Sequence, residues 1–294
     1  AISDLGGGNL TTTVTNATCN GDCNGAVQTT MSGGTTPYSY TWQDASTATN
    51  ISGLCQGAWG LTITDNVGCI STDGGAITEP TAVTVTVLGT TDVLCAGEST
   101  GAITIGVIGG TTGYSYTWSN GSTAQNQTGL TADSYTVTVS DGVSCSVTAS
   151  ATITAPSAMT VSTTATDALC DGGNDGSIDL NISGGASGYL YNWSTTAATQ
   201  DVSNLTANTY TVTVTDGNGC IITATDLVDD PAGITLTTSN TDANCGQADG
   251  SVSVTAVGGT TPYSYTWTGG GTTAGVSGLA ANNYTVTVSD NNSC

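Results

Sequence analysis

The sequence predicts an all-β protein, built as a tandem array of four β-sandwich repeats of about 75 residues each. Three observations carry this prediction. A tryptophan recurs at nearly constant intervals, as Trp42, Trp118, Trp193 and Trp267. Short segments rich in Thr and Val alternate polar and apolar residues, as half-buried strands do. Clusters of Gly, Asn, Asp and Ser separate these segments, which is typical of turns between short strands.

Each tryptophan belongs to a fixed set of markers. It closes an alternating aromatic triplet, and a Gly-Gly pair precedes the triplet. A first cysteine stands at an almost fixed distance before the tryptophan, and a second cysteine stands at a fixed distance after it. The triplets are Tyr38/Tyr40/Trp42, Tyr114/Tyr116/Trp118, Tyr189/Tyr191/Trp193 and Tyr263/Tyr265/Trp267, and the glycine pairs are Gly33-Gly34, Gly109-Gly110, Gly184-Gly185 and Gly258-Gly259.

A tyrosine further along each repeat indicates the kind of sandwich. Tyr135, Tyr210 and Tyr284 each follow a leucine by five residues, which places them at the start of a late strand. A tyrosine corner at this point, together with a Trp on a middle strand, is typical of immunoglobulin-like sandwiches. We predict that these three tyrosines and the four tryptophans lie in the cores. Repeat 1 has Trp59 at the corner, which leaves its corner hydrogen bond in question.

The period also predicts the domain boundaries. Residues 10–80, 81–156, 157–231 and 232–294 form the four repeats, and residues 1–9 are the tail of a preceding repeat. Pro80, Pro156 and Pro231 fall between repeats, where proline can mark a linker. The fourth repeat reaches Cys294 without the final strand of the others. Either further repeats continue the polypeptide, or the segment Ile2-Ser-Asp-Leu5 of one subunit completes the open sheet of the next by strand addition.

The charge composition excludes several functional classes. The chain contains no Lys, Arg or His, and its formal net charge is −22. Without cations it cannot neutralise phosphates, so we expect no nucleic-acid partner. No apolar run approaches the ~18 residues of a membrane span. Catalysis by a Ser-His or Cys-His pair requires a histidine, and a lysine base requires a lysine, and the chain has neither. We therefore predict that the protein is not an enzyme.

The ten cysteines predict disulfide bonds. Their number is even, eight occupy the repeated positions, and neither zinc-ligand spacing nor a thiol-activating cation is present. We expect all ten to be oxidised. Pairing within repeats is the simplest pattern and gives Cys19–Cys69, Cys23–Cys55, Cys95–Cys145, Cys170–Cys220 and Cys245–Cys294. An alternative stays open, because the A–B and F–G loops of an immunoglobulin sandwich lie at opposite ends: the first cysteine of one repeat then pairs with the second cysteine of its neighbour.

Carboxylates and sequons provide weaker candidates. An aspartate stands four residues before each second cysteine, as Asp65, Asp141, Asp216 and Asp290. An Asx turn explains these better than a calcium ligand, because each motif offers one carboxylate. Asp229 and Asp230, beside Pro231, are better calcium candidates, and calcium is the only cofactor that we consider. Surface glycans are an expectation at sequons that include Asn9, Asn16, Asn126, Asn192 and Asn204.

These markers together resemble the SprB repeat. The resemblance rests on the first cysteine, the glycine pair, the segment Thr-Thr-Pro-Tyr-Ser-Tyr-Thr-Trp and the closing Gly219-Cys220. The SprB-repeat family builds very large gliding-motility adhesins of surface-moving bacteria. The resemblance implies export by type IX secretion and display as long filaments on the cell surface.

We therefore expect a structural or adhesive segment of an extracellular surface filament. Its partners would be neighbouring repeats or copies of itself, and surface glycans. The alternative is an array of carbohydrate-binding modules in a secreted protein, which exposed Tyr and Trp triplets would favour. The triplets lie on a middle strand, and such a strand needs large residues that face inward. We therefore expect the triplets to form core and not a platform for stacking on glycans.

Overall fold

The structure, a computed structural model, describes residues 8–294, and over this range it consists of β-strands and loops. Two compact units are present. The first contains two sandwiches and ends at Ala155, and the second contains two more together with the short segment Leu94–Ala96. Alternation explains the strands, because every second residue points into a core. In one strand, Tyr135, Val137 and Val139 are buried while Thr136 is exposed.

From residue 8 onward, the first unit contains twelve strands, six in each sandwich. The sheets of the first sandwich have the orders β1-β2-β4 and β3-β5-β6, and those of the second have the orders β7-β8-β10 and β9-β11-β12. The strands are β1 Asn9–Thr15, β2 Gly25–Ser32, β3 Ser39–Trp42, β4 Ile51–Leu54, β5 Gly57–Thr64, β6 Ile70–Ile77, β7 Thr84–Thr91, β8 Gly101–Ile108, β9 Ser115–Trp118, β10 Gln127–Leu130, β11 Asp133–Ser140 and β12 Ser146–Ile153.

The second unit repeats this arrangement with one strand fewer. Its sheets have the orders β13-β14-β16, β15-β17-β18 and β19-β20-β22, with β21 and β23 forming a two-stranded sheet. The strands are β13 Thr160–Thr166, β14 Gly176–Ser183, β15 Leu190–Trp193, β16 Val202–Leu205, β17 Asn208–Thr215, β18 Ile221–Val228, β19 Thr235–Thr241, β20 Gly250–Val257, β21 Ser264–Trp267, β22 Gly275–Leu279 and β23 Val286–Ser289.

The connectivity is that of an immunoglobulin-like sandwich. In each six-stranded repeat, the first, second and fourth strands form one antiparallel sheet, and the third, fifth and sixth form the other. These are the positions A, B and E, and C, F and G, of the immunoglobulin fold. The A–B loop therefore lies at one end of the sandwich and the F–G loop at the other. This arrangement decides which cysteines can meet.

The last strand of each complete sandwich closes the core with one aliphatic side chain. Ile77, Ile153 and Val228, at the ends of β6, β12 and β18, are almost completely buried. Ile153 lies against Gly101, the first residue of β8, where an added Cβ would meet the isoleucine side chain at 2.7 Å. The glycine that opens the second strand therefore makes room for this side chain.

Within residues 8–294, the sheet of β21 and β23 in the fourth sandwich has two strands where the corresponding sheets of the other three have three. An open groove of about 680 Å³ is lined there by residues that include Leu236, Trp267 and Tyr284. Tyr284 is only partly buried, which corrects its assignment to a closed core. Tyr135 and Tyr210 are covered because β12 and β18 lie beside them. The strand-addition segment Ile2–Leu5, and most of the predicted tail 1–9, lie outside the described residues.

Candidate functional site at the cysteine junctions

A buried aspartate shapes the F–G loop that carries each second cysteine. In the second sandwich, one carboxylate oxygen of Asp141 accepts hydrogen bonds from the backbone N–H groups of Val143, at 3.0 Å, and Cys145, at 2.9 Å. The other oxygen accepts from the N–H of Thr111 at 2.8 Å. Three backbone donors are thus satisfied by one side chain, as in an extended Asx turn. Asp65, Asp216 and Asp290 hold the same three kinds of donor.

These hydrogen bonds perturb the titration of the aspartates. The N–H of Thr111 is the main cause that holds the pKa of Asp141 below its ordinary value, and the N–H groups of Cys145 and Val143 add to it. Burial opposes the shift. The pKa values of Asp65, Asp216 and Asp290 are lowered in the same way. Because their oxygens are occupied by backbone donors, these side chains act as structural turn formers.

The Gly-Gly pair lies against this aspartate. Gly110 has a φ of +65°, and a Cβ built on it would lie 2.7 Å from a carboxylate oxygen of Asp141. A side chain at this position would therefore displace the carboxylate from its backbone donors. The preceding glycine, Gly109, accepts a hydrogen bond through its carbonyl from the hydroxyl of Tyr114. The glycine pair, the first tyrosine of the triplet and the aspartate thus form one end of the sandwich.

Disulfides join each repeat to the next. Cys19 bonds Cys145, Cys95 bonds Cys220, and Cys170 bonds Cys294, with Cα–Cα distances of 5.6, 5.7 and 5.7 Å. In each bond, the first cysteine of one repeat, in the A–B loop, pairs with the second cysteine of the following repeat, in the F–G loop. A fourth disulfide, Cys23–Cys55, lies within the first sandwich.

This pattern corrects the preferred prediction of pairing within repeats. The predicted bonds Cys19–Cys69, Cys95–Cys145, Cys170–Cys220 and Cys245–Cys294 are wrong. The strands between the two loops contain eight residues, and at about 3.3 Å per residue they separate the loops by roughly 25 Å. A disulfide requires Cα atoms within about 7 Å. Cys23 and Cys55 can pair because the A–B and E–F loops share one end.

Hydrogen bonds accompany two of the junction disulfides. The side-chain amide of Asn218 donates to the carbonyl of Leu94 at 3.0 Å, beside the Cys95–Cys220 bond. The amide of Asn292 donates to the carbonyl of Leu169 at 2.9 Å, beside Cys170–Cys294. At the first junction Val143 occupies the corresponding position, and its side chain has no donor, so it cannot make the same side-chain hydrogen bond beside Cys19–Cys145.

Two cysteines have no partner among residues 8–294. Cys69 is the second cysteine of the first repeat and lies in an F–G loop, whereas Cys245 is the first cysteine of the fourth repeat and lies in an A–B loop. The loop of Cys69 is formed as in the other repeats, because the N–H of Cys69 donates to Asp65 at 2.9 Å. The expectation that all ten cysteines pair within the chain is therefore wrong for these two.

The aromatic triplets face inward at their last residue. The four tryptophans are 2–5% exposed, and each indole N–H donates to a carbonyl six residues further on, as Trp193 does to Thr199 at 3.0 Å. The ring is thus buried, and its N–H group has a hydrogen-bond acceptor inside the protein. The middle tyrosines are partly buried beside them. The tryptophan of each triplet is therefore a core residue, and none of the four triplets offers an exposed row of three aromatic rings for stacking on a sugar.

The corner position separates the first sandwich from the others. Tyr135 donates from its hydroxyl to the carbonyl of Thr131 at 3.1 Å, and Tyr210 and Tyr284 make the same bond four residues back. Trp59 is buried, and its indole nitrogen has no hydrogen-bond partner among the residues that the structure describes. The corner hydrogen bond is thus missing from repeat 1. Trp59 packs instead against Trp42, with ring centroids 6.0 Å apart.

The calcium candidates are used by the backbone. Asp229 accepts from the N–H of Asp230 at 2.9 Å, and Asp230 accepts from the N–H of Gly172 at 2.8 Å. From residue 8 onward, no group of three acidic or thiol side chains is arranged to hold a metal ion. The calcium site stays a prediction. The five sequon asparagines are all exposed. Within the same range, no helix is long and apolar enough to cross a membrane.

The family comparison finds four matches in the chain. The SprB repeat matches residues 11–47, 88–123, 162–198 and 237–272. Each match starts in or near the first strand of a sandwich and ends just beyond the tryptophan. The chain belongs to the SprB-repeat family. In each SprB match the first cysteine, the glycine pair and the aromatic triplet are included, whereas the aspartate and the second cysteine follow it. SprB repeats belong to cell-surface proteins, and the disulfides agree with an extracellular location.

Comparisons with solved structures return tandem immunoglobulin domains. The eight N-terminal domains of Down syndrome cell adhesion molecule isoform 1.30.30 are 12% identical, with a TM-score of 0.38, over 88% of this chain and 41% of that one. This SprB array thus spans less than half of that structure. Dpr2 Ig1-Ig2 in complex with DIP-Theta Ig1-Ig3 is 8% identical, with a TM-score of 0.30, over 76% and 100% of the two chains. A comparison with curated proteins finds no match.

Proposed function

We propose that this chain is a structural and adhesive segment of an extracellular bacterial surface filament, with no catalytic role. The observation that carries the proposal is the series of SprB repeats joined to one another by disulfides. Disulfides of this kind persist in oxidising surroundings outside the cytoplasm. A surface filament needs a repeated module, firm junctions and a soluble exterior, and the net charge of −22 favours solubility.

The chemistry of the chain supports a non-catalytic role. No histidine, lysine or arginine is present to act as a base, a nucleophile or an oxyanion donor. The buried carboxylates, such as Asp141, already accept three backbone N–H hydrogen bonds that shape the F–G loop, so a structural role accounts for them. The partners we propose are therefore other SprB repeats and surface glycans, and the proposed export route is the type IX system.

The competing proposal, a carbohydrate-binding array, loses its main support in the fold. A stacking platform needs exposed aromatic rings, and Trp42, Trp118, Trp193 and Trp267 are buried. Incubation of the purified chain with immobilised polysaccharides tests this point. We expect no retention that depends on the middle tyrosines, such as Tyr116. Retention that Tyr116→Ala abolishes would favour the carbohydrate-binding function.

Immunogold electron microscopy of the source bacterium tests the main proposal. Antibodies raised against the purified chain should label filaments on intact cells, and an antibody against a cytoplasmic protein serves as the negative control. Deletion of the type IX secretion machinery should move the label inside the cell. Label that appears only after permeabilisation of wild-type cells would contradict a surface function.

A further inference from the structure

The three junction disulfides overlap along the sequence. The loop closed by Cys19–Cys145 contains Cys95, whose own partner, Cys220, lies beyond Cys145. Likewise, Cys170 lies inside the loop closed by Cys95–Cys220, and its partner, Cys294, lies beyond it. A covalent route from Cys19 to Cys294 therefore crosses to Cys145, follows residues 145–170, and crosses again. We call this route the first path.

A second path runs beside the first. It follows residues 69–95, crosses from Cys95 to Cys220, and follows residues 220–245. The first path contains β12 and β13, and the second contains β6 and β7, then β18 and β19. The second and third sandwiches therefore each contribute their first strand to one path and their last strand to the other. The four inner strands of each sandwich belong to neither path.

We propose that the chain transmits tension along these two covalent paths, and that the second path continues into other SprB repeats through Cys69 and Cys245. This proposal concerns mechanics and goes beyond the surface function. Tension applied to Cys19 and Cys294 can extend only the backbone of residues 145–170, although the whole chain contains 294 residues. Most of that segment is already in extended strands. The sandwiches are thereby protected from unravelling under load.

The three disulfides between repeats predict the partners of Cys69 and Cys245. Every junction bond joins a first cysteine to a second cysteine of another repeat. Cys69 is a second cysteine and should bond a first cysteine, whereas Cys245 should bond a second cysteine. Each bond forms by thiol–disulfide exchange with a disulfide oxidant, which takes up the two protons and two electrons of the thiol pair. A SprB repeat of the same polypeptide or of another copy has the required cysteine.

Single-molecule stretching of the whole chain, held at residues 1 and 294, tests the first path. A Cys69→Ser/Cys245→Ser background removes the unpaired thiols from this experiment. The shortest covalent route then contains about 43 residues with the disulfides intact, and the stretched length should be about 150 Å. Reduction should lengthen the route to about 293 residues, or about 1000 Å. Pairing within repeats would instead give about 161 residues, or about 560 Å, in the same background.

Two double variants in that background provide matched controls. Cys95→Ser/Cys220→Ser removes one disulfide of the second path, and the stretched length should stay at about 150 Å. Cys19→Ser/Cys145→Ser removes one disulfide of the first path, and the shortest route then grows to about 112 residues, or about 390 Å. Equal lengths for the two variants, or a length of about 560 Å before either disulfide is removed, would overturn the proposal.

Oxidation of the purified chain tests the predicted partners of Cys69 and Cys245. Oxidised glutathione at high protein concentration should yield disulfide-linked oligomers in which Cys245 of one copy bonds Cys69 of another. Either single variant, Cys69→Ser or Cys245→Ser, should stop growth beyond the monomer. Symmetric Cys69–Cys69 or Cys245–Cys245 products in comparable amounts, or monomers alone, would refute the assignment of these two cysteines.

Discussion

The indole ring of Trp59 lies against Gly75, its cross-strand partner in the neighbouring strand β6. A Cβ added to Gly75 would approach the indole atoms to 3.3 Å. In the second and third sandwiches the same position pairs Tyr135 with Ala151, and Tyr210 with Asp226. The larger ring in the first sandwich thus coincides with the loss of a side chain opposite it. Burial of the two indoles of Trp59 and Trp42 replaces the tyrosine-corner hydrogen bond.

We predict that Gly75→Ala destabilises the first sandwich by about 1 kcal/mol, because the added methyl group and the indole of Trp59 must move apart by a few tenths of an ångström. The double variant Trp59→Tyr/Gly75→Ala should recover most of this loss, since Tyr135 and Ala151 already occupy these positions together in the second sandwich. Thermal unfolding measures both effects. Equal stability of the single and the double variant would refute this account of the pair.

Trp193→Ala should destabilise the third sandwich by about 3–5 kcal/mol, because it removes a buried ring and leaves a cavity. Trp193 is 2% exposed and Leu190, in the same strand, is 70% exposed. Leu190→Ala is therefore a matched control, and its effect on the free energy of unfolding should be close to zero. Similar losses for both variants, measured by denaturant unfolding, would place Trp193 outside the core.

Stability should fall in acid because of the four F–G aspartates. Their folded-state pKa values are lowered, so their contribution is complete above the unfolded value of about 4 and is lost as the pH falls toward the folded value. The melting temperature should therefore decrease below about pH 4. Replacement of Asp65, Asp141, Asp216 and Asp290 by Asn should flatten this dependence.

Asp179→Asn is the control for the loss of an aspartate. Asp179 is exposed on β14, so its replacement should leave the melting temperature at neutral pH unchanged. The Asp141→Asn variant should also be less stable at neutral pH, because an amide can present an N–H group to the N–H of Thr111. Melting curves that are parallel from pH 7 to pH 2 for the wild type and the fourfold variant would contradict the prediction.

Disulfide mapping of the unreduced protein should link repeats to their neighbours. The chain contains no Lys or Arg, so trypsin has no cleavage site and an Asp-specific protease is used instead. The peptide that contains Cys19 should be joined to the peptide that contains Cys145, and Cys23 should be joined to Cys55. A Cys19–Cys69 peptide would restore pairing within repeats and remove both covalent paths.

Strand positions could be predicted from the sequence because a period of two and the spacing of the tryptophans are local patterns. Disulfide partners are not local: Cys69 and Cys145 both lie far from Cys19 along the chain, and only the opposite positions of the A–B and F–G loops decide between them. The immunoglobulin-like topology places these two loops at opposite ends, and this excludes pairing between them within one repeat. The partial exposure of Tyr284 depends on the neighbouring last strand, which covers Tyr135 and Tyr210 in the second and third sandwiches; the spacing of the tyrosines alone does not carry this information.

The overlap of the disulfides also changes what a protease can do to the protein. Every peptide bond between Cys19 and Cys294 lies inside at least one closed disulfide loop. A single cleavage anywhere in this range therefore leaves both fragments covalently attached. If each disulfide closed within its own repeat, one cut in a linker near Pro80, Pro156 or Pro231 would release everything beyond it. A molecule exposed to the enzymes of its surroundings thus keeps its full mass after a first cut.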